Sequence, residues 1–234
     1  HVPHWTTNAN DILNNKDINA VYIATPPSTH LEYALEVIHS GKHVYLEKPM
    51  TLNVAQAKQI CDALKKGNSK LTVAHYRREL PAFLKVKDLL NQNKIGQITH
   101  ADIQILQSKK SQIFTDSEDN WRVNPAVSGG GYFYDLAPHQ IDLMIHYFGP
   151  IQRTAGFSHS SHPDSKVEDV VNGIISFKNG VQFRGLWSFN TTALNEKDQC
   201  TIYGTEGNIE FSFFGSEVIL TTTEGIETFS FHNP

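Results

Sequence analysis

The chain has 234 residues, of which 39% are hydrophobic, and its formal net charge is −4 at pH 7. This length and apolar content exclude a disordered chain and allow one large domain or two smaller ones. The charge gives no basic surplus for phosphate backbones, and no apolar run approaches the roughly 20 residues of a membrane span. We therefore expect neither nucleic acid nor a membrane as a partner. Cys61 and Cys200 lack CxxC spacing, which is typical of two buried thiols in a reducing cytoplasm.

The first 76 residues alternate short apolar strands with helices. Strand-like runs stand at residues 20–24, 43–46 and 71–76, and a helical pattern follows each of the first two. Thr29 with Glu32 fits a capping box at the start of the first helix, which Gly41 ends. The order strand, helix, strand, helix, strand, with short apolar strands, predicts a parallel sheet covered on both faces.

After residue 76 the pattern changes. It predicts a helix at about 81–92, a strand at 98–106, a polar loop of about 20 residues that is long enough to suggest function, and an apolar helix after the glycines 129–131. From residue 151 onward, strand-like runs follow one another, with hairpin signals at 178–180, 205–207 and 223–225. This half predicts a largely antiparallel sheet with covering helices, so we divide the chain into domains 1–76 and 77–234.

Two loops follow parallel strands, at the edge of the sheet where α/β proteins bind ligands. The first is TPPSTH at 25–30, which either offers hydroxyls and a helix N-terminus to a ribose or phosphate or is a proline-stiffened turn. The second contains Glu47, Lys48 and Pro49. Lys48 can donate a proton, accept one or act as an electrostatic clamp, or it is an ordinary surface lysine.

The apolar helix carries Asp135, His139, Asp142 and His146 on one face, because they recur at intervals of four, three and four. A metal site would need further ligands that the sequence does not offer, so we expect none. Two alternatives remain. The side chains form a buried structural network in which Asp135 accepts from His139, or a carboxylate orients a histidine that exchanges a proton with a substrate. The spacing leaves both alternatives open.

The glycines at 129–131 precede that helix but do not form a GxGxxG motif, since Tyr134 stands at the third position. We expect them instead to let the backbone lie close to a ligand or to another segment of the chain.

Taken together, residues 17–50, 73–98 and 121–149 resemble the glucose-fructose oxidoreductase / inositol dehydrogenase / MocA (Gfo/Idh/MocA) family of NAD(P)-dependent oxidoreductases. The specific signal is EKP at 47–49, followed by GGG and then by Asp and His four residues apart. The resemblance implies an α/β part followed by an α+β part. The first is the C-terminal part of a Rossmann parallel sheet, and the second has a large, mostly antiparallel open sheet with covering helices.

The resemblance also implies hydride transfer between NAD or NADP and a hydroxyl or carbonyl carbon of a sugar, cyclitol or related polyol. Lys48 would lie by the nicotinamide ribose and the reacting oxygen, and His139 would relay the hydroxyl proton with help from Lys48 and Asp135. The family's cofactor contacts correspond to Thr25, Pro26, His30, Glu47, Lys48, Trp121 and Arg122, and its substrate contacts to Tyr76, Arg77 and His139. Asp142 and His146 gain no role, and we expect them to be structural.

The family's glycine-rich phosphate loop, and the residue that selects NAD or NADP, match nothing in this sequence. We therefore expect that the first part of the Rossmann domain is missing before residue 1, that some C-terminal length is missing too, and that these residues alone bind cofactor weakly. The resemblance further implies a homodimer or homotetramer formed through the open C-terminal sheet.

Two other functions stay open from the sequence. One is an NAD-dependent glycoside hydrolase of the same fold, in which transient oxidation labilises a glycosidic bond, and no feature described above separates it from a dehydrogenase. The other is a non-catalytic ligand-binding or assembly protein. The presence of Lys48, Asp135 and His139 together argues against the latter, since a binding protein has no need for proton-transfer groups.

Overall fold

The computed structural model describes residues 4–109, 111 and 120–232. The helices, in chain order, are α1 (Ala9–Leu13), α2 (His30–His39), α3 (Val54–Leu64), α4 (Pro81–Asn91), α5 (Pro125–Ser128) and α6 (Tyr132–Phe148). The strands are β1 (Ala20–Ile23), β2 (His43–Leu46), β3 (Leu71–Val73), β4 (Ile98–Ser108), β5 (Ile151–His159), β6 (Val170–Phe177), β7 (Gln182–Thr191), β8 (Lys197–Gly204), β9 (Gly207–Phe211), β10 (Glu217–Thr222) and β11 (Gly225–Ser230).

These elements form two compact units. The first contains the described residues of His1–Ala74 together with Asn124–Gly130, and the second those of His75–Val123 and Gly131–Pro234. The sequence pattern placed all residues after 76 in one domain, whereas α5 groups with the first unit, where it packs on the 3-10 turn Pro27–Thr29. The long polar loop expected after β4 falls partly on residues 110 and 112–119, which lie outside the described residues.

The first unit contains a three-stranded parallel sheet of order β1-β2-β3, which confirms the predicted arrangement. Side chains alternate across each strand, so Leu46 is buried with Val37 of α2 and Ile60 of α3. The opposite face carries Tyr22 and Tyr45, which are both exposed. Within the described residues, helices therefore cover one face of the sheet, and the expected cover on both faces is not found.

The second unit is built on an eight-stranded sheet of order β11-β10-β9-β8-β4-β7-β6-β5. β4 and β7 pair in parallel, and the other neighbouring strands pair antiparallel. The prediction of a mostly antiparallel sheet is confirmed. The three hairpin signals also join the strands they were expected to join, namely β6 to β7, β8 to β9 and β10 to β11.

One face of this sheet forms the core with α4 and α6. Phe83 of α4 and Leu143 of α6 are fully buried in a single cluster with apolar residues of the strands. The other face is open, as the sequence led us to expect: Phe157 of β5 is 85% exposed and Ile174 of β6 is 56% exposed. Arg184 of β7 forms an ion pair on this face with a carboxylate of β4.

Trp187 occupies the core side of β7 and is 1% exposed. Its indole N–H donates to Oε1 of Gln140 on α6 at 3.3 Å, and its ring meets Phe133 edge-on at 5.1 Å. Gly185, two residues earlier on the same face, leaves the space that the indole fills, because a Cβ there would come within 2.2 Å of the ring. The small residue and the large one thus fit together on the core face of the sheet.

The glycines before α6 allow a close approach between two segments, which confirms the interpretation of this motif. Gly129 has a φ of 89°, in the left-handed region that favours glycine, where α5 ends. Gly131 lies against the 165–169 segment, and a Cβ there would stand 2.8 Å from the carbonyl oxygen of Glu168. The amide of Gly131 also donates to the Glu168 carboxylate at 3.4 Å.

The two cysteines lie on the elements predicted for them, α3 and β8, but they differ in exposure. Cys200 is fully buried, whereas Cys61 is exposed because it lies on the solvent side of α3. The expectation of two buried thiols is therefore wrong for Cys61. In the part of the chain that the structure describes, the helices are too short or too polar to cross a bilayer.

Candidate active site

In the first unit, the two sequence-predicted ligand loops lie at the same edge of the sheet. β1 and β2 run parallel and in register from Ala20↔His43 to Ile23↔Leu46, so the loops after them begin side by side. Thr25 and Pro26 in the first loop are exposed, and Lys48 in the second is half-buried. This edge combines an exposed hydroxyl with the half-buried Lys48, and such groups suit a ligand rich in oxygen atoms.

Glu47 is fixed by two hydrogen bonds. The hydroxyl of Tyr22 donates to Oε1 at 2.5 Å, and the backbone N–H of Lys48 donates to Oε2 at 3.2 Å. The bond to Glu47 raises the pKa of Tyr22 to about 12, and burial contributes in the same direction. Sequence reasoning missed Tyr22. The signal was the strand alternation, which puts residues 22 and 45 on one face, and the Tyr22 and Tyr45 rings lie 5.1 Å apart.

His30 is fully buried and faces backbone carbonyl oxygens at both ring nitrogens. Its Nε2 lies 2.8 Å from the Thr25 oxygen, and its Nδ1 lies 3.0 Å from that of Pro49 and 3.3 Å from that of Met50. The resemblance implied a direct cofactor contact for His30. The ring instead joins the loop after β1 to the loop after β2.

Thr29 does not form the expected capping box. Its side chain makes no capping bond to α2, because a 3-10 turn at Pro27–Thr29 precedes the helix and Thr29 has an αR backbone. The hydroxyl instead donates to the carbonyl of Pro26 at 3.0 Å and is hydrogen-bonded to the hydroxyl of Thr25 at 2.8 Å. Thr29 thereby stiffens the loop that carries Thr25.

In the second unit, His139 of α6 lies against Tyr76. His139 is 5% exposed, whereas Tyr76 is 49% exposed, and the two rings meet edge-on with centroids 5.6 Å apart. Pro138 stands inside α6 directly before His139 and has no N–H with which to continue the ladder of the helix. Two of the three expected substrate contacts are thus neighbours in space.

Asp135, one turn before His139, forms an ion pair with Arg122. The distance from Nε to Oδ2 is 3.3 Å, and both side chains are mostly buried. The Arg122 guanidinium also lies 4.6 Å from the centroid of the Trp121 ring. The structure therefore brings together Trp121, Arg122 and Asp135, which the sequence selected separately. A hydrogen bond from His139 to Asp135 stays a prediction.

Arg77, the third expected substrate contact, is used inside the second unit. It is 8% exposed, donates to the carbonyl of Phe213 at 2.5 Å and lies 4.5 Å from the centroid of the Phe214 ring. Burial lowers the pKa of its guanidinium. Asp198 completes this cluster by accepting the backbone N–H groups of Phe213 at 3.0 Å and Phe214 at 2.7 Å. Through Nη1, Arg77 is thus bonded to the 213–214 turn of its own unit.

We expect Asp198→Ala to destabilise the protein by about 1–3 kcal/mol, mainly because it leaves the backbone N–H of the buried Phe213 unsatisfied. The free energy of unfolding in denaturant measures the effect, and Asp198→Asn, which keeps one acceptor oxygen, should lose less. Glu217→Ala, at an exposed carboxylate, is the control. Equal stability of Asp198→Ala and the control would contradict the role of this carboxylate in fixing the turn.

Asp142 and His146 have structural surroundings, as expected. Asp142 accepts two bonds from Arg78, at 2.7 Å from Nε and 2.5 Å from Nη2, which raise the pKa of that guanidinium. The carbonyl of His146 accepts from Lys87 at 2.8 Å. Burial lowers the pKa of the His146 imidazole, and the positive charges of Lys87 and Arg78 lower it further.

His146 should make the stability of the protein depend on pH in the acid range. Since its pKa is lower in the folded state than the ordinary 6.5, the unfolded chain binds more protons and stability falls as the pH drops below about 6.5. We expect His146→Gln to lose less free energy of unfolding than the wild type between pH 7 and pH 5. His159→Gln controls for the loss of a histidine elsewhere. An identical pH slope in the wild type and His146→Gln would contradict this effect.

Comparison with known families places both halves of the chain. The model described as the oxidoreductase family, NAD-binding Rossmann fold, matches residues 1–75, and the model of the GFO/IDH/MocA C-terminal domain matches residues 83–210. The chain belongs to the Gfo/Idh/MocA oxidoreductase family. Residues 1–75 therefore have the NAD-binding Rossmann fold, and the fold class expected from the resemblance is confirmed.

Several Gfo/Idh/MocA relatives cover most of the chain. Oxidoreductase P35 of Formosa agariphila is 52% identical over 233 residues, which are 100% of this chain and 71% of P35. The levoglucosan dehydrogenase of Pseudarthrobacter phenanthrenivorans is 27% identical over 89% of this chain and 59% of its own length. The scyllo-inositol 2-dehydrogenase (NADP(+)) of Bacillus subtilis is 31% identical over 59% of this chain and 37% of its own length.

A solved structure at 27% sequence identity shares the fold. It is a levoglucosan dehydrogenase in complex with NADH and levoglucosan, which superposes with a TM-score of 0.85 at 27% identity. The match covers 96% of this chain and 64% of that chain. This chain thus spans about six tenths of both levoglucosan dehydrogenase sequences to which it was compared.

Proposed function

We propose that the protein transfers a hydride between a nicotinamide cofactor and a hydroxyl or carbonyl carbon of a sugar, cyclitol or related polyol. The observation that carries the proposal is Lys48 at the C-terminal edge of the parallel sheet, in a chain of this family that also has a buried histidine on α6. Ligands of open α/β sheets bind beyond the carboxyl ends of the strands, so a lysine at this edge can stabilise negative charge on a reacting oxygen.

The residues at this edge fit the ribose and nicotinamide end of a dinucleotide. Thr25 and Thr29 present linked hydroxyls, and Lys48 adds a cation beside them along the sheet edge. The printed sequence has no GxGxxG loop for the pyrophosphate. NAD(P), when bound, supplies or accepts the hydride. Relatives whose names include NADH and NADP(+) both occur, so either cofactor is consistent with the family.

The side chains of this chain would handle the proton and the developing charge. His139 would take the proton of the substrate hydroxyl during oxidation and return it during reduction. The ammonium of Lys48 would stabilise the negative charge that grows on the reacting oxygen. Tyr76, packed edge-on against His139, covers one side of the imidazole, and the Arg122–Asp135 ion pair holds a carboxylate one turn away.

The substrate class follows from the relatives together with the chemistry of the site. Levoglucosan and scyllo-inositol, which the names of two relatives contain, are rings that carry several hydroxyl groups. The site residues offer hydroxyl, ammonium and imidazole groups, which suit hydrogen bonding to such rings. We therefore assign the substrate to this class and name no single compound.

The full-length protein should reduce NAD⁺ or NADP⁺ in the presence of at least one compound from a panel of sugars, anhydrosugars and cyclitols. Formation of the reduced nicotinamide, followed by its absorbance, measures the reaction. Aryl glycosides form a second arm of the panel. Release of the aryl alcohol without net accumulation of reduced cofactor would favour a hydrolase and contradict the dehydrogenase.

We also propose that the open face of the sheet in the second unit associates with a second copy of the chain, as a dimer or tetramer. The exposed Phe157 and Ile174 on this face support the proposal. Substituting Ile174 by aspartate should shift the protein to a smaller species in light scattering after size-exclusion chromatography. Leu194→Asp, at a 97% exposed residue outside the strands, is the control. An unchanged mass for Ile174→Asp would contradict this interface.

A further inference from the structure

His30 connects the two loops that carry the expected cofactor-binding residues. One ring nitrogen lies 2.8 Å from the carbonyl oxygen of Thr25, and the other lies 3.0 Å from that of Pro49. These carbonyls belong to the loops after two different strands, and the ring that joins them is fully buried. The buried ring keeps water away from these carbonyls, so water cannot easily replace the contacts if the side chain is removed.

The contact to Pro49 is adjacent to Lys48 in the chain. On its other side, the Lys48 backbone N–H donates to the Glu47 carboxylate at 3.2 Å, and that carboxylate is held by Tyr22. Two side chains therefore hold the backbone on either side of Lys48. The fully buried His30 contacts the carbonyl of Pro49, and Glu47, which accepts from Tyr22 of β1, also accepts from the Lys48 N–H. The half-buried side chain of Lys48 extends from this segment of backbone.

We propose that His30 is a positioning residue, which sets the place of Lys48 by locking the loop after β2 to the loop after β1. This inference rests on the proposed function of Lys48 at the reacting oxygen. A catalytic group displaced by about 1 Å can lose about 100-fold in rate, so loss of the lock affects turnover although His30 itself lies away from the reaction.

A double-mutant cycle in the full-length protein tests the proposal through kcat. We expect His30→Ala to lower kcat by about 10- to 100-fold when Lys48 is present. In the Lys48→Ala background the same substitution should change kcat by less than about threefold, because the group that His30 positions is gone. A purely structural role of His30 predicts equal losses in both backgrounds, and that result would overturn the proposal.

Two variants control for folding. His39→Ala removes an exposed histidine at the end of the same helix and should leave kcat unchanged. His30→Gln keeps a side chain that can donate to a carbonyl, and it should recover part of the activity lost in His30→Ala. If His30→Ala does not fold, the cycle is run with His30→Gln, for which the same dependence on Lys48 is required.

Amide hydrogen exchange gives a readout that needs neither cofactor nor turnover. In His30→Ala we expect faster exchange in peptides that cover residues 24–30 and 47–53, and unchanged exchange in β2 and β3. Unchanged exchange in both loops would overturn the lock. If the wild type reduces no cofactor with any substrate, the proposed function fails, and the exchange result alone decides whether His30 fixes the two loops.

Discussion

Substituting Lys48 by alanine, or His139 by asparagine, is expected to lower the turnover of the full-length protein at least about 100-fold, as for loss of a group that transfers a proton or holds a developing charge. If each group acts in the transition state, kcat and kcat/KM should fall together while KM changes little. The measurement is steady-state reduction of the nicotinamide with the best substrate of the panel.

The controls for this prediction carry the same side chains at exposed positions on other elements. Lys66→Ala removes an exposed lysine that follows α3, and His159→Asn removes an exposed histidine of β5. Both should keep wild-type turnover, and all variants should keep the wild-type melting temperature within a few degrees. Wild-type turnover in both Lys48→Ala and His139→Asn would refute the assignment of these residues.

Trp187→Ala is expected to cause the largest loss of stability, about 3–5 kcal/mol, because it removes a large ring from the core of the second unit. The indole is 1% exposed, and its N–H is a partner of the Gln140 amide oxygen, so the variant also weakens the link between β7 and α6. The free energy of unfolding in denaturant measures the loss.

Trp187→Phe separates the contribution of the buried ring from that of the hydrogen bond to Gln140. It keeps most of the ring volume and should lose less than Trp187→Ala, mainly through the missing hydrogen bond to Gln140. Leu194→Ala, at a 97% exposed side chain, should change stability by less than about 0.5 kcal/mol. A loss below about 1 kcal/mol in Trp187→Ala would show that the core does not depend on this residue.

Much of the fold could be predicted because it depends on local patterns. The parallel sheet follows from short apolar strands separated by helices, and the antiparallel sheet follows from alternating side chains between hairpin turns. The parallel pairing of β4 with β7 has no such signal. The two strands are far apart in sequence, and the alternation of buried and exposed side chains along a strand does not specify which strand it pairs with. The sequence also could not tell that one side of α3 leaves Cys61 exposed.

In the candidate site, the sequence indicates which residues carry suitable side chains but does not indicate which groups those side chains contact. Motif matching selected Arg122 and Asp135, but their ion pair depends on the path of the chain between them. The guanidinium of Arg77 could donate equally well to a substrate oxygen or to a backbone carbonyl. The sequence does not distinguish these partners, and in the structure it donates to the carbonyl of Phe213. For His30, the sequence gives a histidine at the start of a helix and cannot give the direction of its ring.

The central place of β4 in the large sheet has a consequence for folding kinetics. β4 pairs with β7 at Ala101↔Phe183 and with β8 at Ile103↔Cys200, so its partners come from much later in the chain. Contacts of such long sequence separation slow folding, because the loop must close before any pairing is gained. During synthesis, β4 leaves the ribosome long before β7 and β8, and its apolar side chains remain unprotected until those strands arrive. The 98–108 segment should therefore be among those that chaperones bind during translation.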